Sequence, residues 1–232
     1  MNKTLLILAL LALASLRPAL LADEVPDAAL ILKQVRASAA QNEELTLQGR
    51  LRVLGGKKHG FRRTIRPQQV AFLFENEPRH SIALDLLGDT FRLRERHGQG
   101  QWADVAPGKM GQTLRGTSVN YLDISLGYLY WPNPEFLEED VVAERITWKI
   151  RVNNPDNEGP YARLDLWIDR DTRGLLRMQA YNRQGRLIKR MQVKDIQRVK
   201  SGERKVWTLE RMVVSAFDPK SGRQASRTYL EL

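Results

Sequence analysis

The sequence contains no cysteine. This absence excludes disulfide bonds, catalytic thiols and zinc sites built on thiolates, and it leaves no cysteine to carry a covalent lipid anchor. Histidine is nearly as scarce, because His59, His80 and His97 are the only three. No two of them have the close spacing of paired metal ligands on one helix. The sequence therefore predicts no metal site and no cofactor.

Sequence motifs of catalysis are missing as well. There is no nucleophile elbow, no P-loop and no glycine fingerprint for a dinucleotide. Asp169 and Asp171 lack the additional acids that Ca²⁺ requires, so we expect them to cap a turn. Glu138, Glu139 and Asp140 are predicted to form a solvated helix end. Since no pair of carboxylates stands out as a general acid and base, we expect that the protein is not an enzyme.

Long hydrophobic runs are confined to the N-terminus. After Lys3, residues 5–13 are all apolar, and Ala22 ends a segment of small and apolar residues. This pattern is typical of a secretory signal peptide, and the run is shorter than the roughly 20 residues of a membrane span. We predict a signal peptide over residues 1–22, cleaved near Ala22, and a single exported domain over residues 23–232. Cleavage after Ala14 fits the small-residue rule better but leaves a short apolar segment. An uncleaved anchor or a buried helix is the alternative.

Positive charge is in excess. Lys and Arg number 37 against 27 Asp and Glu, which gives a net charge of +10. Such a balance suits contact with nucleic acid or with an anionic lipid surface. The alternative is a basic protein whose charges are spread over the solvated faces of its strands. An exported chain argues against nucleic acid, so we expect no nucleic-acid partner.

Alternation of apolar and polar residues dominates the rest of the chain. In residues 161–168, Leu164, Leu166 and Ile168 point one way, and Asp165 and Trp167 point the other. Such alternation indicates strands with one buried face. Polar turns at residues 169–174 and 182–185 join this strand to the next two in an antiparallel meander. Similar runs predict about ten or eleven strands in all, among them residues 45–53, 61–66, 69–75, 80–87, 90–96, 146–152, 204–217 and 227–232.

Two segments have helical character. Residues 27–41 are predicted to form a helix capped by Asp27, and its apolar stripe comprises Ala29, Leu30, Leu32, Val35 and Ala39. Residues 119–130 are rich in aromatic and aliphatic side chains and predict one helix or two short ones. A long antiparallel sheet must twist and curl. The sequence therefore predicts a mainly β (α+β) fold: one curled antiparallel sheet, a half-barrel, with helices packed in its concave face.

Three stretches of sequence resemble the outer-membrane lipoprotein-sorting family, the LolA-like periplasmic carriers. The longest includes Leu-Trp-Ile-Asp at 166–169, Thr172, Leu-Arg-Met at 176–178, Tyr181, Gly185 and Leu-Ile-Lys-Arg at 187–190. The others are Arg66-Pro67 and, in part, the Gly-Thr, Tyr and Asp at 116, 117, 121 and 123. The resemblance implies the half-barrel fold and a helical lid that Arg66 fastens over the sheet. Arg63 is the rival, because the strand register puts it on the apolar face, where a charge needs a partner.

The resemblance also implies a function. It suggests a monomeric periplasmic carrier or binding protein that shields acyl chains of a lipoprotein or lipid during outer-membrane sorting, with inner- and outer-membrane partner proteins. The alternative is a non-transport interaction or sensor module of the cell envelope on the same scaffold. Alternation on the strands and spacing in the lid predict the residues of an apolar groove: Leu47, Leu51, Phe61, Ile65, Phe72, Phe74, Leu84, Leu86, Phe91, Trp148 and Ile150 from the sheet, and Tyr121, Leu122, Leu126, Leu129 and Trp131 from the lid.

Overall fold

A computed structural model describes residues 25–39, 44–76, 78–156, 158–201 and 204–232. Its thirteen strands form one sheet in the order β6-β5-β4-β3-β2-β1-β13-β12-β11-β10-β9-β8-β7, and every neighbouring pair is antiparallel. Strands that follow one another along the chain lie side by side, except β6 and β7, and the first strand β1 pairs with the last strand β13. The sheet is not closed, because β6 and β7 lie at its two edges. The predicted half-barrel with few helices is confirmed.

The two longest strands are β11, with 15 residues, and β12, with 14 residues. The thirteen strands are β1 Leu45–Val53, β2 Lys58–Arg66, β3 Gln69–Phe74, β4 His80–Leu86, β5 Phe91–His97, β6 Ala103–Asp104, β7 Glu135–Val142, β8 Arg145–Asn153, β9 Arg163–Asp169, β10 Leu175–Tyr181, β11 Leu187–Ser201, β12 Arg204–Phe217 and β13 Gln224–Glu231. The helices are α1 Ala28–Ala39 and α2 Tyr121–Ser125, with 3₁₀ helices Pro107–Lys109 and Gly127–Tyr130. We call α2 and the second 3₁₀ helix together the lid (residues 121–130). It is two short helices, one of the two arrangements that the sequence predicted.

The edge strand β7 is the largest departure from the prediction. Glu138, Glu139 and Asp140 lie within it, so their assignment to a helix end is wrong. The alternation of apolar and polar residues is interrupted in this strand, because its register against β8 shifts between residues 136 and 138. Its acids are held by neighbouring strands: Lys149 Nζ donates to Glu138 at 2.7 Å and Trp167 Nε1 donates to Asp140 at 2.7 Å. Acidic side chains on an edge strand are also a known protection against edge-to-edge pairing.

Helix α1 begins where the sequence predicted but turns a different face to the sheet. Asp27 caps it, since its Oδ1 accepts the backbone N–H of Ala29 at 2.9 Å. The buried residues are Ala28, Ile31, Leu32 and Val35, whereas Ala29 and Leu30 of the predicted stripe are exposed. The stripe is displaced because the helix packs against both β7 and the 3₁₀ helix of the lid. Residues 40 and 41, which the prediction included, lie outside the described residues.

The predicted signal peptide, its cleavage site and the membrane-anchor alternative concern residues 1–22, which lie outside the described residues. In the part of the chain that the structure describes, no helix has both the length and the apolar character needed to cross a membrane.

Candidate functional site: an apolar cavity under the lid

A cavity of about 580 Å³ lies between the concave face of the sheet and the helices. Strands β1 to β4 form one wall and strands β10 to β13 form the other. The lid covers it through Ile124 and Leu126, Val119 just before the lid also lines it, and Ser38 of α1 reaches the same space. Most of its wall residues are apolar, so the cavity suits a hydrophobic ligand.

Phenylalanine rings form the wall on the side of β2 and β3. Phe61 lies 5.9 Å from Phe72 and 5.7 Å from Phe74, measured between ring centroids, and both pairs are tilted. These rings meet because strand alternation sends every second residue inward and the β2–β3 pairing aligns the two strands. Tilted aromatic pairs at this distance stabilise one another beyond their buried area. This wall is therefore stiff and apolar.

Eight of the predicted groove residues line the cavity: Leu51, Phe61, Ile65, Phe72, Phe74, Leu84, Leu86 and Leu126. The structure places seven others in the core where the lid packs directly on the sheet: Phe91, Tyr121, Leu122, Leu129, Trp131, Trp148 and Ile150. Leu47 lies beside the cavity wall, paired across the strands with Arg63. The concave face is thus divided between a packed core and the cavity.

The opposite wall was missed by the sequence argument. It contains, among others, Met191, Val193, Ile196, Leu209, Met212, Val214, Leu230 and Leu232. The sequence did contain a signal for this wall, because apolar and polar residues alternate along β11 and β12. However, the register between them shifts twice near Asp195, and each bulge exchanges the inward and outward faces. Simple alternation therefore could not show which side of the long strands faces inward.

Arg63 is the one basic side chain of β2 that faces into the cavity. It lies between Phe61 and Ile65 on the inner face of the strand, and its cross-strand neighbours are Leu47 and Phe72. Desolvation by burial lowers the pKa of Arg63 to about 10. Among the residues that the structure describes, none makes a hydrogen bond, an ion pair or a ring contact with it. The sequence argument that put a charge on the apolar face agrees with this position.

An arginine of α1 joins the two helical segments. Arg66 is exposed and its Nε donates to Glu44 at 3.0 Å. Neither Arg66 nor Arg63 makes a hydrogen bond or an ion pair with the described residues of α1 or the lid. Instead, Arg36 of α1 donates from Nη1 to the carbonyl of Leu129 at 2.6 Å and lies 4.9 Å over the ring of Tyr130. In this structure Arg36 is the residue that fastens α1 to the lid.

Asp123 anchors the lid to the sheet through a buried polar network. Asn120 and Asp123 form a capping box at the start of α2. Oδ2 of Asp123 also accepts Lys189 Nζ at 2.6 Å, and Oδ1 accepts the hydroxyl of Tyr161 at 2.6 Å. Burial, with the charge of Asp123, raises the pKa of Tyr161 well above its ordinary value. The Tyr161 hydroxyl thus stays a donor, and it in turn accepts Asn120 Nδ2 at 2.9 Å.

A second polar cluster, of His80, Glu95, His97, Lys109 and Tyr121, lies under the start of the lid. The β4–β5 register pairs His80 with His97, and their rings stack with centroids 4.4 Å apart. Glu95 accepts the Tyr121 hydroxyl at 2.6 Å and also pairs with Lys109. Burial alone would raise the pKa of Glu95, but hydrogen bonds from Lys109, Tyr121 and His80 outweigh it and lower the pKa to about 2.

This cluster was missed because its two histidines are far apart in the sequence and become neighbours only through strand pairing. Ligand atoms of His80, Glu95 and His97 lie within 4.8 Å of one another. Lys109 already supplies a positive charge to the carboxylate, which is the role that a metal ion would take.

Comparisons with known proteins agree with this architecture. The structure is similar to that of a DUF1329 family protein from Desulfovibrio piger, with a TM-score of 0.68 and 14% identity over 88% of this chain and 89% of that chain. A putative outer membrane lipoprotein-sorting protein domain from Vibrio parahaemolyticus gives a TM-score of 0.60 and 14% identity over 88% and 89%. A LolA superfamily protein from Nitrosomonas europaea gives 0.59 and 15% over 89% and 91%.

Sequence comparison gives a family but no characterised relative. No curated protein matches the chain. A family described only as uncharacterized protein matches residues 99–231, which is more than half of the chain. That stretch includes the lid and strands β7 to β13. The chain therefore belongs to this family of uncharacterized proteins, and its fold is the LolA-like half-barrel that the sequence resemblance predicted.

Proposed function

We propose that the protein is a carrier or binding protein of the cell envelope that shields acyl chains in the cavity under the lid. The observation that carries the proposal is the cavity itself, about 580 Å³ with walls that are mostly apolar. Removing a chain from water stabilises it by about 0.8 kcal/mol per buried CH₂ group. A lipid therefore leaves a membrane for a protein only if that protein offers a comparable apolar surface.

The size of the cavity narrows the proposal. Pockets for small ligands usually enclose roughly 300–1,000 Å³, and this cavity lies inside that range. Its volume fits a single bound molecule with one or two chains in the conformation described. A larger cargo, such as a lipoprotein with three chains, requires the lid to move away from the sheet. The lid is the segment that would move, because it is the part of the wall that lies outside the strand pairing of the sheet.

Location and partners belong to the same proposal. Two proteins of similar fold are named as a lipoprotein-sorting domain and a LolA superfamily member, and residues 1–22 have the pattern of a signal peptide. Both facts support a periplasmic protein that handles acylated cargo between membranes. Under this proposal the cargo is a lipoprotein or lipid, and donor and acceptor proteins lie in the inner and outer membranes.

Two measurements test the proposal. Native mass spectrometry of the protein purified from the periplasm should show a bound lipid-sized mass that organic extraction removes. A fluorescent acyl probe should bind the extracted protein with a dissociation constant in the micromolar range, about −8 kcal/mol. If no mass is bound and the probe does not bind, the cavity is only part of the core. The interaction-module function would then be the better description.

A further inference from the structure

The position of Arg63 carries an inference about the chemistry of the cargo. Its guanidinium faces an apolar cavity from the middle of β2, with phenylalanine and aliphatic neighbours on its own strand and on both adjoining strands. Arg63 is half-buried, and a charge that is partly removed from water without a partner is costly, so proteins normally pair such a charge or leave it out. A side chain that folding alone would disfavour is best explained by a ligand that pairs with it.

The acids near the cavity do not meet this need. Among the described residues of the cavity wall, Asp123 is the only acidic one, and Lys189, Tyr161 and the backbone N–H of Asn120 already donate to its oxygens. Burial is the only cause of the lowered pKa of Arg63, and no nearby carboxylate offsets it. The described part of the chain therefore leaves five N–H donors of this guanidinium free for a ligand.

A guanidinium matches one class of ligand group especially well. It binds carboxylates and phosphates through two parallel hydrogen bonds, and such charge-assisted bonds are about twice as strong as neutral ones. Among apolar neighbours the attraction is stronger than in bulk water, because the local dielectric constant is lower. Neutral esters or glycerol hydroxyls would satisfy the donors less well and would leave the charge unpaired.

We propose that the cavity selects acyl chains that carry an oxyanion, a carboxylate or a phosphate, and that Arg63 binds this group inside the cavity. This inference rests on the proposed carrier function and makes it narrower: the cargo is an anionic amphiphile rather than a neutral one. The chains lie against the phenylalanine wall, and the anionic group lies against Arg63.

The test compares ligands that share their acyl chains and differ in whether they carry an anionic group. cis-Parinaric acid and its methyl ester share one fluorescent chain, and phosphatidic acid and diacylglycerol with the same chains differ only in the phosphate. At neutral pH we expect wild-type protein to bind each anionic member at least about ten-fold more tightly than its neutral counterpart. Preference within the first pair alone would identify a carboxylate ligand, and preference within the second pair alone would identify a phosphate ligand.

Variants of β2 assign the preference to one side chain. Arg63→Met should reduce the preference for the acid to less than about two-fold and leave binding of the methyl ester unchanged. Arg63→Lys should keep part of it, because the charge remains while the paired donors are lost. Arg62→Met is the matched control: it is the neighbouring arginine, it points to the other face and pairs with Glu75, and it should keep the full preference.

Each other outcome has a definite meaning. If wild-type protein binds charged and neutral probes equally, or if Arg63→Met keeps the preference, the inference is wrong while the carrier function stands. If wild-type protein binds none of the four ligands, the carrier function and the inference both fail. Without ligand, Arg63→Met should unfold at the same or a higher urea concentration than wild type. A clearly lower midpoint would mean that Arg63 serves folding, and would overturn the inference as well.

Discussion

Lys189 and Asp123 form a buried ion pair of 2.6 Å across 66 residues of sequence. Lys189 lies on β11, and Asp123 lies in the first turn of α2. Both belong to stretches on which the family resemblance rests, and the structure shows why those stretches occur together. One supplies the lid, the other supplies the strand beneath it, and this pair holds them in contact.

Removing one partner of this pair should destabilise the protein strongly. In Lys189→Met, the buried carboxylate of Asp123 would keep its hydrogen bonds from neutral donors but lose its ion-pair partner. We therefore expect a loss of about 3–5 kcal/mol in the free energy of unfolding. Urea denaturation measures it. Lys194→Met, an exposed lysine on the same strand, should change the free energy by less than about 0.5 kcal/mol. The double variant Lys189→Met/Asp123→Asn should lose less than the sum of the single losses, because the two residues act as a unit.

Arg36 should control how fast the lid opens. Its hydrogen bond to Leu129 and its position over Tyr130 are direct contacts between α1 and the lid. Loss of a charged hydrogen bond costs about 1.5–3 kcal/mol, so Arg36→Leu should release a bound acyl probe about ten-fold faster or more. Stopped-flow displacement with an excess of unlabelled ligand measures the rate, and far-UV circular dichroism should remain native.

The same experiment with Arg66→Leu tests whether Arg36, as the structure indicates, or Arg66, as the family resemblance implies, holds the lid. Arg66 pairs with Glu44 at the surface, so its loss should leave the release rate within about two-fold of wild type. If Arg66→Leu accelerates release and Arg36→Leu does not, the lid is fastened as the resemblance implies, and the contact of Arg36 is secondary.

Acid should lower the free energy of unfolding, in part because Glu95 becomes protonated. Because its pKa in the folded state is about 2 and its ordinary value is 4.5, the unfolded chain takes up the proton first as the pH falls. The stability that Glu95 contributes is therefore complete above about pH 4.5 and is lost as the pH approaches about 2. Glu95→Gln should flatten the decline of unfolding free energy across this window. The decline should not vanish, since the pKa of Asp169 is also lowered to about 2. A decline as steep as in wild type would contradict the assignment to Glu95.

The hairpin between β7 and β8 offers a route to higher stability. Ala143 and Glu144 form its two-residue turn with φ values of 51° and 63°, the geometry of a type I′ turn, which favours Asn-Gly. Residues other than glycine are strained in this region by about 1–2 kcal/mol, so Glu144→Gly should raise the free energy of unfolding by about 1 kcal/mol. Glu138→Gly, within β7, should lower it by about 0.5–1 kcal/mol. Thermal unfolding of the two variants should therefore shift in opposite directions.

Local patterns were sufficient for most of the fold and for half of the predicted cavity residues. Alternation located β2 and β3 and put Phe61, Phe72 and Arg63 on the inner face, because one face of those short strands is buried throughout. Alternation was insufficient where the pairing between strands determines which side chains face inward and which become neighbours. The bulges near Asp195 reverse the faces of β11 and β12, and the neighbouring positions of His80 and His97 depend on the β4–β5 register. Similarly, the contact of Arg36 with Leu129 joins residues 93 positions apart, which no local pattern can show.

The most direct test of the cavity is a charge placed in its roof. Leu126 ends α2 in a left-handed conformation with φ of 51°, and its side chain lines the cavity. In Leu126→Glu a carboxylate would occupy apolar space, where leaving a charge unpaired is costly, and it would repel an anionic cargo. We expect the variant to lose binding of the acyl probe while its far-UV circular dichroism remains native. Leu30→Glu is the matched control, because Leu30 is 51% exposed on α1 away from the cavity and should bind as wild type does. If Leu126→Glu binds the probe with unchanged affinity, the probe binds elsewhere on the protein and the cavity under the lid is not the carrier site.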